Sequence, residues 1–122
     1  MRRACALLLL SASATPAFAA SFDGIWQGSE KGTAFRYAIH GDDVHFYVGH
    51  DGEFVEDTSC SIGIERKDEG AILAYQECAS DEGLVAVTDE YLLSDRNANT
   101  LHVRYQSGSG NSEDRGDWLR VQ

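Results

Sequence analysis

Apolar and polar side chains alternate along residues 34–49, and a period of two marks a strand with one buried face. Phe35, Tyr37 and Ile39 share one face of residues 34–40, and Val44, Phe46 and Val48 share one face of residues 44–49. Gly41-Asp42 between them suits a two-residue hairpin turn with glycine first. Pairing Ile39 with Val44 and Tyr37 with Phe46 keeps both apolar sets on one side, whereas a slip of one residue would turn one strand's set into water.

Two more hairpins follow from the same reasoning. Residues 60–66 and 72–78 flank a turn over residues 67–71, and a register with Glu65 opposite Leu73 sets Cys60 opposite Cys78. Ile62 and Ile64 then lie on one face with Ile72 and Ala74. Residues 90–94 and 100–106 flank Asp95-Arg96-Asn97-Ala98-Asn99, whose side chains favour turns, with Leu101, Val103 and Tyr105 on the buried face. Residues 80–88 fit a strand or a helical stripe through Leu84, Val87 and Tyr91, and are read as a strand. Residues 107–116 read as a polar flexible loop before a last strand at 117–121. Turn signals every eight to fifteen positions are the rhythm of an antiparallel β domain. The expected fold is all-β, with about eight short strands in up-and-down order, forming a small antiparallel barrel or a sandwich. Closure would protect strand edges, which here have no proline to guard them.

The amino terminus changes where this domain is expected to be. Arg2 and Arg3 precede an apolar run and then Ala17-Phe18-Ala19, the three parts of a secretory signal peptide with small residues at the cleavage site. Residues 1–19 are thus expected to be removed, leaving a single domain over residues 20–122 in an extracytoplasmic compartment, periplasmic or secreted. The apolar run is about half of the roughly 20 residues that cross a bilayer, so no membrane insertion is expected. Cleavage removes two arginines and no acid, which takes the formal charge from −10 to −12. Such a surface repels phosphate backbones, so nucleic acid is not expected as a partner, and it steers a cationic protein inward. Of the three cysteines, Cys60 and Cys78 alone survive cleavage. In an oxidising compartment they are expected to pair, across one hairpin, as a disulfide. The paired C-x-x-C spacing of zinc sites is absent.

Gly24-Ile25-Trp26, close to the mature amino terminus, resembles the G-x-W motif that opens the first strand of lipocalins and related calycin barrels. The resemblance implies that Trp26 plugs the base of a barrel and that Arg120 packs across it from the last strand. Thr88-Asp89-Glu90-Tyr91 is similar to the family's T-D-Y motif, with Glu90 interrupting it. Small secreted bacterial metalloprotease inhibitors are also similar in size, in a G-x-W opening and in having one disulfide. They insert an amino-terminal trunk into the enzyme, however, and here only residues 20–23 precede Gly24.

No catalytic constellation emerges. The cysteines are committed to each other, and Ser109 between Gly108 and Gly110 lacks the G-x-S-x-G pattern of a nucleophile elbow. Acidic Asp51-Gly52-Glu53 lacks the spacing of a calcium loop and reads as a hairpin turn. Arg115-Gly116-Asp117 spells a cell-adhesion tripeptide but runs directly into a strand. His40 and His45 lie diagonally on the outer face of the first hairpin near Asp43, roughly 7–8 Å apart, a span that one metal ion could bridge. His102 alternates with Leu101 and Val103 and is expected to face solvent beside Arg104. The reading that follows is a non-enzymatic acidic binding module without a cofactor, such as an inhibitor of a cationic extracytoplasmic protein. One alternative is a carrier of a small apolar molecule in an interior lined by Tyr37, Phe46 and Tyr105. The other is a metal-binding protein or enzyme built on His40 and His45.

Overall fold

A computed structural model describes residues 22–68, 70–108 and 110–121. The signal-peptide assignment and Ser109 lie outside these residues. The strands are β1 (Gly24–Glu30), β2 (Thr33–His40), β3 (Asp43–His50), β4 (Glu53–Glu56), β5 (Cys60–Lys67), β6 (Gly70–Ser80), β7 (Gly83–Ala86), β8 (Glu90–Asn97), β9 (Thr100–Gln106) and β10 (Ser112–Arg120). Every pairing is antiparallel, in the order β4-β3-β2-β1-β10-β9-β8-β6-β5, with β7 continuing beside β6. The first and last strands meet, with Trp26 opposite Arg120. The meander therefore curls round on itself. Its ladder is interrupted at one seam, between β4 and β5, although these strands are consecutive in the chain.

All-β class and up-and-down order agree with the alternation, and so does the first hairpin, where Ile39 opposes Val44 and Tyr37 opposes Phe46. The described residues form ten strands rather than about eight. Asp51-Gly52 turns the chain into the short strand β4, with positive φ at both residues, 49° and 83°. Residues 80–88 supply β7, and β10 starts at Ser112, inside the expected flexible loop.

The second hairpin corrects the predicted register. Its turn is tighter, with Lys67 opposite Gly70, so Glu65 faces Ile72 rather than Leu73. A bulge restores the count: Ile62 opposes Tyr75 and Ser61 opposes Glu77, which leaves Gln76 without a counterpart. Cys60 thus still opposes Cys78, and their sulfurs are bonded. Because the side-chain period is two, the one-residue difference turns β6 over. Ala71 and Leu73 enter the core in place of the expected Ile72 and Ala74.

The core comprises Phe22, Trp26, Tyr37, Ile39, Ala71, Leu73, Leu93, Leu101, Val103 and Trp118. No polar or charged residue is fully buried among the described residues. Burial of each large side chain contributes about 1.5–3 kcal/mol against the entropy of ordering the chain.

Candidate functional site

Antiparallel order gives the curled sheet two ends. At the base lie the turns at residues 41–42 and 98–99, with Phe22 and Arg120. The Arg120 guanidinium lies 4.2 Å from the Trp26 ring centre, and donates to the Asp23 carbonyl at 2.7 Å and the Ala98 carbonyl at 2.9 Å. The Trp26 indole N–H donates to the Phe22 carbonyl at 2.9 Å. Arg66 donates to the Gly41 carbonyl at 2.7 Å. These contacts draw the chain entry, the last strand and two turns together across the base.

The interior above is occupied by aromatic rings. Tyr37 stacks on Trp118 with centroids 4.7 Å apart and planes 12° from parallel, and its ring lies 4.8 Å from that of Phe46. Phe35 meets Trp118 edge-on at 5.5 Å. Tyr75 crosses from β6 to share a hydroxyl hydrogen bond with Tyr37, its ring 6.4 Å from Phe46. Desolvation raises the Tyr75 and Tyr91 phenols above their ordinary range, so both remain protonated hydrogen-bonding groups. Gly28 admits this arrangement: a Cβ there would overlap the Trp118 ring and come within 2.9 Å of Phe35 Cζ.

Tyr37 and Phe46, two of the three residues expected to line a ligand cavity, are thus in contact with each other and with other rings. Tyr105 sits apart, half-buried at the open end, 5.5 Å from Tyr91 and beneath the Arg115 guanidinium at 4.4 Å. Its phenol is pushed up, first by a hydrogen bond to Asp89. Arg115 occupies a bulge in β10 between Asp114 and Gly116 and ion-pairs with Glu30 and Glu113, each at 2.7 Å. A recess of about 260 Å³ lies beside it, lined in part by Phe35, Tyr91 and Trp118. Sequence reasoning missed Trp118, Tyr75, Tyr91 and Arg115. The last was noted only within Arg-Gly-Asp, whose aspartate, Asp117, is engaged by Arg96 at 2.7 Å.

The histidines are held by acids. His45 Nδ1 lies 2.7 Å from Glu56 Oε2, and this bond raises the imidazole pKa above 6.5. His40, highly exposed, is 3.9 Å from Asp23. His40 and His45 are therefore drawn toward different carboxylates. No group of three His, Cys, Asp or Glu side chains arranged to hold a metal ion occurs among the described residues. His102 differs from expectation: its side chain is only 20% exposed, between Asp114 at 3.3 Å and Asp117 at 3.2 Å, with Arg96 at 2.7 Å. Arg104 turns instead to Ser112.

Charge is unevenly divided between the ends. Asp51, Glu53, Asp57, Asp81, Glu82 and Asp89 all lie in or beside connections at the open end, where the cations among the described residues are Lys31, Arg104 opposite Asp114, and the doubly paired Arg115. Arg66, Lys67, Arg96 and Arg120 lie toward the base together with Asp23, Asp42, Asp43, Asp68 and Asp95, so the acids of the open end are the less compensated. At the seam, a broad cleft of about 600 Å³ is lined by Val48, Val55 and Ala79 with Glu56 and Asp57 at its side. No helix among the described residues is long and apolar enough to cross a membrane. No family model, curated protein or solved structure matches the chain.

Proposed function

We propose that the mature domain is an exported, non-enzymatic acidic binding module that captures a cationic protein through its open end. The observation that carries this reading is the larger excess of acids over cations around that end, opposite a base closed by Arg120 and Trp26. A dense one-signed field raises the encounter rate with an oppositely charged partner and makes binding salt-sensitive. The ring contacts in the interior favour surface binding over carriage, since Tyr37 is already packed between Phe46 and Trp118. The interior recess of about 260 Å³ is also smaller than the roughly 300–1,000 Å³ of ordinary small-molecule sites, and the cleft of about 600 Å³ at the seam is broad and open rather than enclosing. Arg120 over Trp26 supports a lipocalin-like construction of the base.

Titration calorimetry of the mature protein against a basic lysozyme and a basic ribonuclease, at low salt and at about 150 mM salt, tests the reading. Saturable binding that weakens about tenfold or more with salt is expected. Absence of saturable binding to either probe at low salt overturns it.

A further inference from the structure

Three strands have an edge outside the continuous ladder: β4, β5 and β7. Proteins blunt such edges with charge, proline, bulges or cover. Strand β4 begins and ends on Glu53 and Glu56, and β5 carries Glu65, Arg66 and Lys67. Strand β7 is Gly83-Leu84-Val85-Ala86, without charge or proline, and all four residues are exposed. Leu84 is 71% exposed and Val85 40%. As successive residues of a strand they project to opposite faces, so neither face of this hairpin hides its apolar surface.

The backbone of β7 is also available. Ala79 opposes Leu84, yet Ala79 donates its N–H away from β7, to the Ser59 carbonyl. Ala79 and Leu84 are therefore a non-hydrogen-bonded pair, and the N–H and C=O of Leu84 project from the free side of β7, as do those of Ala86 by the same alternation. Cys60–Cys78 ties the hairpin to β5 beside Val85, which opposes Cys78. The edge is thus held on a braced support rather than on a free loop.

Building on the binding-module reading, we infer that β7 is a strand-addition site for an extended basic segment of a partner protein. Leu84 and Ala86 supply the main-chain ladder, and Asp81, Glu82 and Asp89 flank the four-residue strand at both ends. Alternating lysines on an added strand would reach these carboxylates while its apolar residues cover Leu84 or Val85. Charge decides against a second copy of this chain. Antiparallel pairing of two β7 edges would bring Asp81 and Glu82 of each copy toward Asp89 of the other, between two chains that each carry −12.

The test is amide hydrogen exchange and chemical-shift mapping by NMR on the mature protein, using a short peptide alternating lysine with valine and threonine as probe. A glutamate-for-lysine peptide serves as the control. Slowed exchange at Leu84 and Ala86, by about tenfold or more at saturation, is expected with the lysine peptide alone. Leu84→Pro and Ala86→Pro each remove an outward donor without removing a β6 ladder bond, and should abolish the protection while near-ultraviolet circular dichroism remains native. If either variant fails to fold, the wild-type exchange map decides. A footprint elsewhere, with basic lysozyme or ribonuclease still bound, overturns the strand-addition site and leaves the module reading standing. Loss of all cationic binding overturns both. Concentration-dependent dimerisation that protects the β7 amides without peptide overturns the basic segment in favour of a second copy.

Discussion

Gly28 and His45 show how much a single position can carry. Gly28 pairs with Phe35, and its missing Cβ is the space that Trp118 fills. Gly28→Ala sets a methyl against two rings already packed on Tyr37 and Tyr91, neither of which can yield cheaply. Overpacking of this kind costs about 1–3 kcal/mol, so the urea midpoint should fall with an unchanged slope. At His45 the effect is electrostatic. The Glu56 hydrogen bond stabilises the imidazolium in the folded state, so the folded pKa stands above the unfolded one. Its contribution to stability is complete below the unfolded pKa near 6.5 and disappears as pH rises through the folded value. NMR titration of His45 should give a midpoint above 6.5 that Glu56→Gln returns toward 6.5.

At the scale of the element, the disulfide and the bulge belong together. The tight turn at Lys67 and Gly70 shifts the hairpin by one residue, and the unmatched Gln76 shifts it back before Cys60 meets Cys78. The bridge closes a loop of 18 residues' separation. By chain entropy such a loop stabilises by about 3 kcal/mol. The double substitution Cys60→Ser with Cys78→Ser should lower the unfolding free energy in urea by about that amount. It should also raise hydrogen exchange in β7 more than in β9, because β7 ladders only onto β6. Equal loss of protection in both strands would show that the bridge supports the whole sheet rather than the projecting hairpin.

At the scale of the molecule, the first hairpin was fully legible because its information is local. Alternation from Phe35 to Ile39 and from Val44 to Val48, with Gly41 between, selects one register by itself. The cysteine pairing was legible because the expected cleavage would leave two thiols and a hairpin supplies their distance. The face of β6 was not. Ala71, Ile72, Leu73, Ala74 and Tyr75 form a nearly unbroken apolar run, so no alternation separates inside from outside, and a one-residue difference in the turn decided the matter. Residues 112–116 were misread because composition marks them as loop, whereas β9 provides a ladder that composition does not record. Trp118 and Arg115 were missed as site residues because their partners, Gly28, Glu30 and Tyr105, are brought to them by the pairing of β10 with β1 and β9.

Sequence by itself determined the all-β class, the up-and-down hairpins, the Cys60–Cys78 bridge and the total charge. Each depends on residue type and on spacing within one strand or one turn. Tertiary structure alone decided that the ladder breaks between β4 and β5, that the rings of Tyr37, Phe46, Tyr75 and Trp118 occupy one interior, and that one end carries the less compensated acids while β7 keeps an open edge. Those features follow from the curl of the sheet, which brings β2 across from β6 and β1 beside β10. Curl is set by twist and bulges summed over ten strands rather than by the pattern within any one of them.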